Sequence, residues 1–123
     1  MKTIFLVDDS PTMLMSLEGV LVKAGYKVEK APNAAEALNK LKGGVVPDLI
    51  ITDYHMPGMN GGELIKAVRA MPAFKFKPIL MLTTESDQTK RMDAKAAGAT
   101  GWLVKPVQPP DLLAVIKQVV PGA

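Results

Sequence analysis

Polar residues of a few reactive types stand where short apolar runs of this sequence end. Asp8 and Asp9 follow the run Thr3 to Val7, and Asp53 follows Leu49 to Thr52. Thr83 and Thr84 close the run that begins at Pro78, and Lys105-Pro106 follows Thr100 to Val104. An aspartate after a strand is most often a turn residue or a helix cap. Polar groups at the ends of four apolar runs together argue instead for one shared pocket. Transfer of a phosphoryl group to a carboxylate needs a nucleophile, a divalent cation and fixed positive charge for the equatorial oxygens. Mg²⁺ prefers hard oxygen ligands and takes one or two carboxylates beside phosphate oxygen, a role that the adjacent Asp8 and Asp9 suit. Asp53 stands alone at the end of its run and is the expected phosphoacceptor. Thr83 would donate its hydroxyl to a phosphoryl oxygen, and Lys105 would supply a compact point charge. The carboxylates balance only with metal bound and the lysine directed inward; without a cation they repel one another.

Positioning such a set requires five strand-helix repeats, and the sequence supplies them. The strand-like runs are Thr3 to Val7, Lys27 to Ala31, Leu49 to Thr52, Pro78 to Thr83 and Thr100 to Val104. A helix from Pro11, capped by Ser10, is expected to stop at Gly25 with Leu14, Leu17 and Leu21 inward. The second runs from an Asn33 cap through Ala34, Ala37, Leu38 and Leu41 to Gly43-Gly44. The third covers roughly Gly62 to Ala70 and the fourth about Asp87 to Ala97. The fifth starts near Pro109 or Pro110 and turns Leu112, Leu113, Ile116 and Val119 inward. The first, third and fourth strands are almost uninterruptedly apolar, as strands covered by helices on both faces must be, so the sheet should be parallel. Ligands in such open sheets bind beyond the carboxyl ends of the strands, where the reactive residues fall.

The 123 residues form one expected domain, 1–123, with 48% hydrophobic residues for a single core. No cysteine is present, which excludes disulfides and thiolate chemistry and suits a cytoplasmic location. The apolar run before Asp8 is too short for a signal peptide or membrane span. A formal charge of +3, without a basic run or stacking aromatics, gives no reason to expect nucleic-acid binding.

The segments VDDS at Val7 to Ser10, DLIITDYHMPGMNG at Asp48 to Gly61, LTTES at Leu82 to Ser86 and KP at Lys105-Pro106 resemble the receiver domains of response regulators. The resemblance spans essentially the whole chain, and its ending is similar to the stand-alone, CheY-like chemotaxis type. It implies a flavodoxin-like α/β fold with strand order 2-1-3-4-5, and phosphorylation of Asp53 by a histidine kinase. It implies Mg²⁺ held by Asp9, Asp53 and the main-chain carbonyl of His55, with Asp8 acting mostly through water, and a cis peptide at Lys105-Pro106. It further implies that Thr83 moves toward the phosphoryl group while the aromatic at position 102, here Trp102 in place of the commoner tyrosine or phenylalanine, turns inward. The readout would lie on the face of helix four, strand five and helix five. His55, Thr84 and Glu85 hold the positions that tune the lifetime of the phosphorylated state. A monomer is expected, whose output partner is a protein such as a flagellar motor switch, or which serves as a phosphate sink or relay. It would be a switch with only self-phosphorylation and self-dephosphorylation chemistry. No DNA-binding domain follows, so direct transcriptional control is not expected.

Two other surfaces stand out. Met71 to Lys77 makes a long connection expected to expose basic and aromatic groups, and Lys90, Arg91 and Lys95 are spaced to share an exposed face of helix four. Two rivals use a related scaffold. A Mg²⁺-dependent phosphohydrolase with an aspartyl nucleophile would carry D-x-D and a cap insertion, where this chain has adjacent aspartates and no cap. A flavodoxin-like electron carrier would carry a Ser/Thr-rich phosphate loop where this chain has DDSP. The scaffold alone does not choose among them.

Overall fold

The computed structural model describes residues 1–84 and 88–123, the side chains of residues 88–90 excepted. Five strands, β1 (Thr3–Val7), β2 (Lys27–Ala31), β3 (Leu49–Asp53), β4 (Ile79–Thr83) and β5 (Gly101–Val104), alternate with five helices, α1 (Pro11–Lys23), α2 (Ala34–Lys42), α3 (Gly61–Arg69), α4 (Gln88–Ala97) and α5 (Pro109–Val119). All strand pairs are parallel, in the order β2-β1-β3-β4-β5. This is the flavodoxin-like architecture that the segments above implied.

Strand alternation divides the core into two layers. Ile4, Leu6, Leu49, Ile51, Leu80 and Leu82 pack against Leu14, Leu17 and Leu21 of α1 and Leu112 and Ile116 of α5. Phe5, Val7, Ile50, Ile79 and Met81 face the opposite way, onto α2, α3 and α4. The central strands β3 and β4 are therefore buried at every position, whereas the edge strand β5 is half-covered. Ser10 caps α1 by accepting from Met13 N, and Asn33 caps α2 by accepting from Glu36 N.

Three local features refine the expectations. Helix α3 begins at Gly61, one residue earlier than expected, because Asn60 and Glu63 form a reciprocal capping box that fixes the entry to the helix. In the connection from Met71 to Lys77, a 3₁₀ turn at Pro72–Phe74 sends Phe74 into the core at 1% exposure, while Lys75 and Phe76, the latter at 90%, are exposed as expected. On α5, Leu113 and Val119 pack half-buried against the core on the side expected, and Val120 beyond the helix joins it.

A cation missed at the sequence level joins these elements. Arg69, at the end of α3, donates to the carbonyls of Phe74, Lys75 and Lys77 and, through Nε and Nη2, to that of Gly98. One guanidinium thereby ties the connection into β4 to the turn after α4. Its rigid fork of donors is what makes so many simultaneous bonds possible.

Candidate functional site

Asp8, Asp53 and Lys105 stay in phase with Leu6, Ile51 and Leu103, all of which pack on the α1 and α5 side of the sheet. The ladder extends one step past two strands: Asp8 N donates to Ala31 O at 3.2 Å and Lys105 N to Thr83 O at 2.7 Å. Alternation therefore delivers two carboxylates and one ammonium to the same point at the carboxyl end of the sheet.

The three groups meet. Lys105 Nζ lies 3.3 Å from Asp8 Oδ2 and 3.1 Å from Asp53 Oδ1. The approach to Asp53 is an ion pair without hydrogen-bond alignment, so this buried oxygen accepts no hydrogen bond among the described residues. Asp8 and Asp53 are 2% and 5% exposed, while Asp9 reaches solvent. One oxygen from each of Asp8, Asp9 and Asp53 lies within 4.8 Å of the others. Burial pushes the Asp8 carboxyl above the usual range; the charge of Asp53 adds to this, and the Ser10 N–H at 2.9 Å and Lys105 oppose it. One lysine against three carboxylates leaves an excess of two negative charges. An all-oxygen donor set with that deficit, one oxygen of it buried without a hydrogen bond, suits a small hard divalent cation such as Mg²⁺.

The loop after Asp53 is shaped by backbone contact. Gly61 N donates to Tyr54 O at 2.8 Å, and a Cβ at Gly61 would fall on the Asp53 carbonyl oxygen and 2.9 Å from Tyr54 Cα. Only glycine lets α3 start this close to the strand end. Tyr54 Oη donates to Asp93 Oδ2 of α4 at 3.3 Å, and its ring meets the exposed His55 edge-on at 5.1 Å between centroids. A shallow depression of about 360 Å³ opens there, lined by Asp9, Tyr54, His55, Met56, Pro57 and Asn60. A larger groove, about 560 Å³, runs from the exposed Asp9 between α2 and Pro57–Met59, and its lining is mostly apolar.

Thr83 is fully buried at the end of β4 and Thr84 is exposed just beyond it. The register pairs Met81 with Trp102 and Thr83 with Val104, so Thr83 and Trp102 lie on the same face of neighbouring strands. Trp102 is 38% exposed, and the Arg91 guanidinium of α4 stands 5.6 Å from its ring centre. The Lys105-Pro106 peptide is cis. Glu85 lies outside the described residues, as do Asp87 and the side chain of Lys90. Of the expected basic face of α4, Lys95 is exposed but Arg91 is half-buried against Trp102. Sequence reasoning did not find the Tyr54–Asp93 and Arg91–Trp102 contacts. They join residues 39 and 11 positions apart through packing that no local pattern announces.

Comparison with known proteins points one way. The profile of the response regulator receiver domain matches residues 4–117. The chemotaxis protein CheY1 of Helicobacter pylori is 40% identical over 107 residues, 86% of each chain. The solved structure of the chemotaxis protein CheY4 of Vibrio cholerae superimposes with a TM-score of 0.93 at 46% identity, covering 98% of this chain and 99% of that one. The receiver domain of the sensor histidine kinase PA1611 of Pseudomonas aeruginosa, described with a magnesium ion coordinated in its active-site cleft, gives 0.88 at 25% identity over 96% of each chain.

Proposed function

Because the chain is a CheY-like member of the response regulator receiver domain family, we propose that it is a phosphorylation switch whose acceptor is Asp53 and whose donor is a histidine kinase. The observation that carries the reading is the Lys105 ammonium set between Asp8 and Asp53 in a buried, electron-rich cluster. In this mechanism an oxygen of Asp53 attacks the phosphorus of a phosphohistidine. The bond from that oxygen to phosphorus forms as the phosphorus–nitrogen bond breaks, and the imidazole keeps the electron pair.

Asp8, Asp9, Asp53 and the main-chain carbonyl of His55 would hold Mg²⁺, which supplies positive charge to the phosphoryl oxygens and lowers the mutual repulsion of the carboxylates. Lys105, 3.1 Å from Asp53 Oδ1, orients the carboxylate and then transfers its attraction to a phosphoryl oxygen. Burial of the cluster strengthens each of these interactions over its value in water. The Thr83 hydroxyl, one residue past the Asp53–Leu82 register pair, serves as donor to the phosphoryl group. Its withdrawal toward the site frees space on the face it shares with Trp102, and the indole turns in. His55 and Thr84, both exposed beside the cluster, and Glu85 set how readily water reaches the acyl phosphate.

The face of α4, β5 and α5 would carry the signal to an output protein. Relatives named as chemotaxis proteins favour a chemotaxis output such as the flagellar motor switch; a phosphate sink or relay is the alternative within the same chemistry. Among the described residues no helix is long and apolar enough to cross a membrane, and the reading places the protein in the cytoplasm with its kinase. The test is loading by acetyl phosphate: the reading expects a Mg²⁺-dependent adduct that neutral hydroxylamine removes, as it removes acyl phosphates. A hydroxylamine-stable adduct would assign the phosphoryl group to a hydroxyl and overturn it.

A further inference from the structure

Trp102 holds the position of the switch aromatic, yet its surroundings in this chain include a cation from the adjacent helix. The Arg91 guanidinium stands 5.6 Å from the indole centre, within the range of a cation–π contact. Arg91 Nε is buried and has no hydrogen-bond partner among the described residues. The nearby carboxylate of α4, Asp93, is bonded to Tyr54 Oη. It is also two positions from Arg91, and residues so spaced do not face each other on a helix. Lys95, one turn on, shares the face of Arg91 but adds only like charge. The indole is thus the partner that the described surroundings offer this guanidinium.

From this contact we infer that Arg91 is a positioning residue of the switch: it latches Trp102 outward in the unphosphorylated protein and sets how far the inward state is populated. The inference rests on the reading of Trp102 as the moving aromatic. Trp102 and Thr83 share one sheet face, and in this inference the indole leaves the guanidinium as it turns toward Thr83. The inward state loses the cation–π attraction, and that loss opposes the change that phosphorylation drives. The same helix is tied through Asp93 to Tyr54, the residue after Asp53, so α4 has one contact at the site loop and one at the switch aromatic. The two contacts leave α4 only two positions apart, at Arg91 and Asp93.

Trp102 is the only tryptophan of the sequence, so 5-fluorotryptophan labelling gives a single reporter for ¹⁹F resonance. The reporter is followed in the full chain before and after loading with beryllofluoride and Mg²⁺. In wild type, loading should move the signal from an outward to an inward position. In Arg91→Gln the unloaded protein should already hold about two- to fivefold more of the inward form, the factor that one exposed cation–π contact supports. Arg91→Lys, which keeps the charge, should fall between. A wild-type signal that moves on loading, with Arg91→Gln indistinguishable from wild type, would overturn the latch alone. A wild-type signal unmoved by loading would overturn the switch reading of Trp102 and the latch with it.

Discussion

Asp8 carries a cost in stability at the carboxyl end of the sheet. It is 2% exposed beside Asp53, with one backbone N–H and one ammonium as compensation, and burial dominates in raising its pKa above 3.8. The folded protein therefore binds a proton at Asp8 more tightly than the unfolded chain does. This contribution to stability is complete below pH 3.8 and is lost as pH rises through the folded pKa, so at neutral pH the metal-free protein carries the cost of an ionised, buried Asp8. Asp8→Asn should raise the denaturation midpoint of the metal-free protein at pH 7 and flatten the pH dependence just above 3.8, as urea titrations across pH would register. The type and position of Asp8, Asp9, Asp53, Thr83 and Lys105 were legible in the sequence because each ends an apolar run. That Lys105 would span two carboxylates was not, since nothing in a sequence gives the direction of a long flexible side chain.

At the scale of elements, the strands and helices were legible wherever burial is two-sided or a cap is explicit. The apolar runs of β3 and β4 and the caps Ser10 and Asn33 are examples. The connection into β4 was not, because Phe74 and Phe76 are the same residue type two positions apart among lysines. The 3₁₀ turn and the Arg69 clamp, both non-local, decide which one enters the core. The clamp carries a prediction. Arg69→Ala removes a charged donor from carbonyls at four residues, and should destabilise the fold by about 2–4 kcal/mol. Chemical denaturation reads this directly, and Arg69→Lys should recover little, since an ammonium lacks the fork. The effect should appear without loss of Mg²⁺-dependent phosphoryl loading in the folded fraction, because Arg69 sits at the end of the sheet opposite Asp53.

For the whole molecule, a doubly covered parallel sheet supplies rigidity at one end and an excess of negative charge at the other. The carboxylate cluster stores repulsion that a divalent cation would relieve, and on the proposed reading metal binding and folding are coupled. Mg²⁺ at about 100 times its dissociation constant should stabilise the fold by roughly 2.7 kcal/mol, and thermal melts with and without Mg²⁺ measure this. Asp8→Asn should shrink the increment while raising the metal-free midpoint, opposite signs from one substitution. The central claim, that Asp53 accepts a phosphoryl group, is tested most directly by intact-mass measurement of wild type and Asp53→Asn after acetyl phosphate with Mg²⁺. Wild type should gain one phosphoryl group, with no gain when Mg²⁺ is absent and none in a folded Asp53→Asn. The same gain retained in Asp53→Asn would contradict that claim.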